Sequence, residues 1–181
     1  MKVMVFLAEG FEEVEALTVV DYLRRMDIEV DMVSISGDEK VEGAHGIEVV
    51  GNKFINDVNL DEYDGVVMPG GLPGATNLAE NDQVIDIVKD FHREEKLIAA
   101  ICAGPVVLQK AGIIDGKDFT CFPGFESNIS DGNYIEKNTV RDGNIITGKG
   151  PALAINFALE IVDYLLGEEK KNDLKKDILS V

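Results

Sequence analysis

Short apolar runs alternate with longer segments of helical period along this chain, and that alternation restricts its fold more than any other feature. Buried parallel strands joined by crossover helices produce such a pattern. Lys2 to Ala8 reads as the first strand, and Glu12 to Met26 as the helix after it, with apolar and charged side chains on opposed faces. Glu29 to Ser36 is the next strand. Residues 37 to 53 carry Gly43, Gly46 and Gly51 around Ile47-Glu48-Val49-Val50 and read as a hairpin-like excursion. Asp64 to Met68 and Leu97 to Ile101 are further buried strands, with helices predicted over Asp82 to Glu94 and Ala103 to Ala111. Phe119 to Phe122 and Asn144 to Thr147 read as strands, and Ala152 to Leu166 as a long buried helix stopped by Gly167. The lysine-rich tail from Glu168 adds a short surface helix. The expectation is a single α/β domain over residues 1–181 with a doubly wound, mostly parallel sheet.

Charge narrows the partners. Asp and Glu number 34 against 17 Lys and Arg, a formal charge of −17. A polyanion is held by clustered cations, so nucleic acid is not an expected partner. No run approaches the roughly 18 apolar residues of a membrane helix, and Val3 to Ala8 is too short for a secretory leader. A cytoplasmic protein with no membrane partner is therefore expected. Two cysteines, Cys102 and Cys121, are too few for a disulfide scaffold, and a reducing compartment leaves them as thiols.

Ligands of doubly wound sheets bind outside the carboxyl ends of the strands. Two features fall at such ends: the loop Pro69-Gly70-Gly71-Leu72-Pro73-Gly74, and Cys102 directly after the run Leu97 to Ile101. Pro105 stands in the first turn of the helix that follows, where its missing N–H costs nothing. Cys102 thus occupies a strand-to-helix turn, a nucleophile elbow. A helix N-terminus next to a thiol stabilises the thiolate, so a lowered pKa is expected for Cys102. The amides of Gly70 and Gly71 are placed to hold a developing oxyanion. Cys121 precedes Phe122 on the predicted strand, so the two side chains point to opposite faces and Cys121 is read as a packed core thiol.

Four segments together resemble the DJ-1/PfpI (ThiJ) family: Ala8-Glu9-Gly10-Phe11-Glu12-Glu13-Val14-Glu15, Val67-Met68-Pro69-Gly70-Gly71, Ala99-Ala100-Ile101-Cys102-Ala103-Gly104-Pro105, and Gly150-Pro151 before a long helix. They occur in the family's order over nearly the whole chain, closer to the branch of the parkinsonism-associated protein than to the intracellular protease branch. The resemblance implies a flavodoxin-like three-layer sandwich and a homodimer. It also implies a site made of Cys102, Glu15 from the first helix, and the amides of Gly71 and Ala103. Before the resemblance is invoked, Glu15 is one of several acids on a helix face.

Two departures bear on activity. Ala103 follows Cys102 where the protease branch has a histidine, and Phe122 stands where the parkinsonism-associated branch has one. The two histidines present are His92, read as a solvated helix residue, and His45, in the glycine-rich excursion. His45 aligns loosely with a family arginine near the dimer interface and is a possible site residue contributed across a dimer. The resemblance implies a cofactor-independent enzyme, without metal, acting on small reactive carbonyls or glycated adducts through a Cys102 hemithioacetal, of glyoxalase III or deglycase type. The alternative is an oxidative-stress sensor or redox-regulated chaperone that uses oxidation of Cys102. Peptidase chemistry is not expected, because no histidine is placed to protonate an amine leaving group. A nucleotide binder lacks its P-loop or G-x-G-x-x-G pattern, and a glutamine amidotransferase would need a histidine later than His92.

Overall fold

A computed structural model describes residues 1–180. In chain order the elements are β1 (Lys2–Leu7), α1 (Glu13–Arg25), β2 (Glu29–Ser34), β3 (Lys40–Glu42), β4 (Glu48–Val50), β5 (Lys53–Phe54), β6 (Gly65–Met68), α2 (Gly74–Glu80) and α3 (Asp82–Arg93). They continue with β7 (Leu97–Ile101), α4 (Val106–Ala111), β8 (Asp118–Phe119), β9 (Asn133–Tyr134), β10 (Thr139–Asp142), β11 (Ile145–Gly148), α5 (Ala154–Leu166) and α6 (Glu168–Asp177). Seven strands form the main sheet in the order β10-β11-β7-β6-β1-β2-β5. All pairs are parallel except β10 with β11.

The sheet divides two cores, as strand alternation requires. Met4, Phe6, Val66, Met68, Ile98 and Ala100 face α3 and α4. Val3, Val5, Leu7, Val67, Ala99 and Ile101 face α1 and α5. The result is the flavodoxin-like α/β sandwich expected. Strand order reverses between β1 and β6: the chain leaves β1 toward β2 on one side and returns to β6 on the other. The carboxyl ends of β1, β6 and β7 therefore meet at that switch point, the place where doubly wound sheets bind ligands, and α1, the Gly70 loop and Cys102 converge there.

Several local expectations need correction. Residues 40 to 50 do form a hairpin, with Lys40 opposite Val50, but the excursion then returns to the main sheet through β5. The glycine loop is shorter than expected, because Gly74 begins α2, a helix whose start is obscured by glycine and proline. The helix after Cys102 starts at Val106 rather than Ala103. The predicted strand Phe119 to Phe122 stops at Phe119, since the Thr120 N–H turns to Thr147 Oγ1 at 2.9 Å. The Phe122 N–H reaches the Cys102 carbonyl at 3.0 Å. Cys121 is nonetheless buried and Phe122 is 44% exposed. No helix among the described residues is long and apolar enough to cross a membrane.

Candidate active site

Cys102 directly follows β7 at φ +63°, a left-handed conformation that costs about 1–3 kcal/mol and persists only where the surroundings impose it. Three hydrogen bonds impose it here. The Cys102 N–H donates to the Gly148 carbonyl at 2.9 Å, its carbonyl accepts from Phe122, and the Gly104 N–H donates to the Ile101 carbonyl at 2.8 Å. The elbow thus turns the thiol out of the sheet plane at the switch point, where the residue stays partly exposed.

Glu15 lies in the first turn of α1 and is fully buried. Its Oε2 accepts the Gly70 N–H at 2.8 Å, and its carboxyl faces the Cys102 thiol closely enough for each to shift the other's pKa. Its Oε1 is buried without a hydrogen-bond partner among the described residues. The packing explains Gly70. A Cβ there would stand 2.7 Å from both Cys102 Cβ and Glu15 Oε2, and 3.0 Å from the Ala103 nitrogen. Any side chain would separate the acid from the thiol. Gly70 was expected to be an oxyanion donor, but its N–H is already engaged by Glu15, so it positions the carboxyl instead. The amides of Gly71 and Ala103 lie close enough to the Cys102 sulfur to favour its thiolate.

The electrostatics correct the expectation of a low thiol pKa. Burial pushes Glu15 up to about 7, against the pull of the Gly70 N–H and of Cys102. Burial and the facing carboxylate push the Cys102 thiol up to about 12, while the Ala103 and Gly71 amides pull it down. The helix N-terminus cannot offset this, because α4 begins four residues beyond the sulfur and the helix dipole acts mainly within its first turn. Near neutrality the pair is therefore a protonated thiol facing an acid–base group that titrates at that same pH. Such a group can accept a proton and return it.

The other singled-out residues lie elsewhere. His45, in the β3–β4 turn, donates its backbone N–H to Glu13 Oε1 at 2.7 Å and places Nδ1 2.8 Å from Glu13 Oε2. Glu12 Oε1 lies 3.7 Å from the same nitrogen, and Glu13 followed by Glu12 raises the His45 pKa. Within one chain, these are its contacts rather than Cys102. Glu12, Glu13 and His45 are also the one group among the described residues with ligand atoms close enough to hold a metal ion, all within 4.8 Å. Their ion pairing already accounts for the arrangement. His92 ends α3 and lines a cavity of about 550 Å³ with Lys117 and Asn144, at the opposite end of the sheet. The Cys121 thiol donates to the Phe122 carbonyl at 3.5 Å and is pushed up to about 12 by burial and then Glu126.

The DJ-1/PfpI family model matches residues 1–164. The chain belongs to the DJ-1/PfpI family. Protein dj-1beta of Drosophila melanogaster is 37% identical over 97% of this chain and 95% of its own length. The Parkinson disease protein 7 homolog of Danio rerio is 37% identical over 98% and 96%. The crystal structure of Drosophila melanogaster DJ-1beta superposes with a TM-score of 0.96 at 36% identity, covering 99% of this chain and 98% of that one. An oxidized Toxoplasma gondii DJ-1 superposes at 0.94 with 34% identity, covering 98% and 97%. For this DJ-1/PfpI chain, sequence reasoning missed two contributors to the site. The Gly148 carbonyl that pins the elbow carries no side-chain signal, and the Gly70–Glu15 bond depends on a contact across 55 residues.

Proposed function

We propose that the protein is a cysteine-dependent, cofactor-independent enzyme that converts 2-oxoaldehydes such as methylglyoxal to 2-hydroxy acids. One observation carries this: a buried carboxyl with a pKa pushed up to about 7 faces the thiol on a strained elbow. The Cys102 sulfur attacks the aldehyde carbon. The S–C bond forms, the carbonyl π pair moves to oxygen, and Glu15 relays the thiol proton to that oxygen. The Gly71 and Ala103 amides hold the oxygen as its charge develops. Glu15, again ionised, removes the proton on the former aldehyde carbon. The electron pair left behind forms an enediol as the ketone oxygen is protonated. Glu15 then returns the proton to the former ketone carbon while the hydroxyl on the first carbon gives up its own proton and becomes the thioester carbonyl. The first carbon is thereby oxidised to a thioester and the second reduced to an alcohol, with no external oxidant. Water then adds to the thioester, the thiol leaves with a proton, and the hydroxy acid is released. Glu15 takes the part that a histidine at position 103 or 122 would otherwise play. Release of a glycated adduct would differ in the first step: the sulfur forms its bond to the hemiaminal carbon as the C–N bond breaks, and the amine leaves with the thiol proton relayed by Glu15.

Glu15 Oε1, buried and unpartnered, supports a second role. A protonated Glu15 can donate to a sulfinate formed when two peroxides each transfer one oxygen to Cys102 and leave as water. The printed description of the oxidized Toxoplasma gondii relative is consistent with such chemistry in that protein. Lactate formation from methylglyoxal, measured beside the intact mass after peroxide treatment, separates the two roles. We expect lactate formation to rise with pH through about 7, to vanish in Cys102→Ser and to fall by about 10² to 10⁴ in Glu15→Gln. Wild-type rates in Cys102→Ser would sink the enzymatic proposal. Addition of two oxygens without turnover would favour the sensor.

A homodimer belongs to the same proposal. Val14 and Ile47 are 51% and 54% exposed and border a groove of about 370 Å³ that Leu17 and Tyr22 also line. Apolar surface of this kind is suited to a second copy of the chain. Light scattering at micromolar concentration is expected to return twice the chain mass, and a monomer mass would refute it.

A further inference from the structure

A groove of about 510 Å³ runs between α2 and α4, and nothing in the chemistry above uses it. Its walls are mainly apolar: Leu72, Ala75, Ala79, Val106 and Phe125. The charged side chains along it, Glu80 and Lys110, are both exposed. Three of its apolar residues are tied to the groups around the thiol. Leu72 directly follows Gly71, whose amide favours the Cys102 thiolate. The Val106 N–H donates to the carbonyl of Ala103, the other amide at the sulfur, at 3.2 Å. The Phe125 N–H donates to the Phe122 carbonyl at 3.0 Å, and the Phe122 N–H is itself bonded to the Cys102 carbonyl. The groove therefore lies next to the thiol turn, walled in part by residues adjacent in sequence or hydrogen-bonded to the groups around the sulfur.

Apolar side chains next to the thiol turn are exposed as well. Leu72, one residue from Gly71, is 54% exposed, and Phe122, whose N–H is bonded to the Cys102 carbonyl, is 44% exposed. The rings of Phe122 and Phe125 meet edge to face, with centroids 6.4 Å apart, so Phe122 extends the apolar wall that Phe125 forms. The volume lies inside the roughly 300–1,000 Å³ range of small-molecule sites, whose walls are predominantly apolar. Methylglyoxal, with one methyl group, would leave it empty.

We propose that this groove is a subsite for the apolar substituent of the electrophile that Cys102 attacks, so that the preferred carbonyls carry an aryl or medium-length alkyl group. The proposal rests on Cys102 as the nucleophile. Burial of apolar area in the groove lowers the barrier to attack at the sulfur while the carbonyl keeps its position against the Gly71 and Ala103 amides.

Alkylation of Cys102 tests the subsite without requiring turnover. Iodoacetamide and N-hexyl iodoacetamide form the same S–C bond with loss of iodide and differ only in the chain that the groove would hold. Peptide mapping by mass spectrometry reads the rate at Cys102 alone. The hexyl reagent is expected to react about tenfold faster at low concentration and to saturate, whereas iodoacetamide does not. Thr76→Trp, an exposed position that would fill the groove, and Leu72→Ser, which removes an apolar wall, should each bring the ratio toward one while leaving the iodoacetamide rate unchanged. Equal rates in the wild type, as when a second copy of the chain covers the groove, would overturn the proposal. So would a preference that survives both substitutions. Absence of lactate from methylglyoxal would refute the enzymatic proposal and leave this ratio as informative as before.

Discussion

Cys102 and Cys121 lie 19 positions apart and are alike in the property most often used to judge a thiol: burial raises both to about 12. They differ in everything around it. Cys102 sits at positive φ on a three-bond elbow, partly exposed, with two amides and a carboxyl at the sulfur. Cys121 is fully buried, and its thiol donates only to the next residue's carbonyl. The neighbouring carboxyl also acts differently in the two places. At Cys121 the charge of Glu126 adds only to the rise, whereas at Cys102 the charge that raises the thiol belongs to a group able to move its proton. The contrast teaches that a reactive cysteine need not be a preformed thiolate. A group titrating near the working pH, held beside an accessible sulfur, can instead relay the thiol proton to the carbonyl oxygen as the sulfur attacks.

Alkylation rates give the largest effect with which to break that contrast. At pH 8 iodoacetamide should modify Cys102 at least about a hundredfold faster than Cys121, because reaction at the buried thiol requires local opening. Glu15→Gln should then raise the Cys102 rate by about tenfold, since the facing carboxylate no longer opposes thiolate formation and the two amides remain. The Cys121 rate should not move. Faster alkylation together with slower turnover would assign Glu15 to proton transfer on the substrate rather than to keeping the sulfur ionised. A slower Cys102 in Glu15→Gln would mean instead that a protonated Glu15 stabilises the thiolate.

The contrast also marks what could be read in advance. The alternation of apolar runs located β1, β2, β6 and β7, because strands buried on both faces are continuous in sequence. The elbow was legible because small residues and Pro105 directly follow the run at 97–101. The strand expected over Asn144 to Thr147 is β11, shifted by one residue, whereas the region from 112 to 142 was read poorly. Its strands β8 and β9 are two residues long, β10 is an antiparallel edge strand, and a side-chain acceptor, Thr147 Oγ1, ends the first of them. Glu15 could be named only through the family resemblance. Three acids stand at 12, 13 and 15, and which of them faces the thiol depends on how α1 docks against the Gly70 loop. The two buried ones went to different partners: Glu13 took His45, and Glu15 took Gly70 and Cys102. The expected low thiol pKa failed for a similar reason, since desolvation and a facing charge depend on packing that local pattern does not contain.

Stability as a function of pH gives the smaller and finer test. Burial raises Glu15 from 4.5 to about 7, so between those values the unfolded chain releases a proton that the folded chain retains. The native state binds more protons throughout that window, and stability must fall as pH rises. The contribution is fully present below about 4.5 and has been lost once pH passes about 7. Its size is on the order of 3 kcal/mol. Glu15→Gln removes the titration while keeping an oxygen that can accept the Gly70 N–H. The variant should match the wild type at pH 4.5 and melt roughly 5 to 10 °C higher at pH 8, where the wild type buries a charge. Cys121→Ala supplies the other side of the comparison. Neither thiol titrates in this range, so the loss of packing in Cys121→Ala should shift the melting temperature by the same amount at both pH values. A Glu15→Gln difference equally constant with pH would place the Glu15 ionisation outside the neutral range and remove the acid–base group from the site.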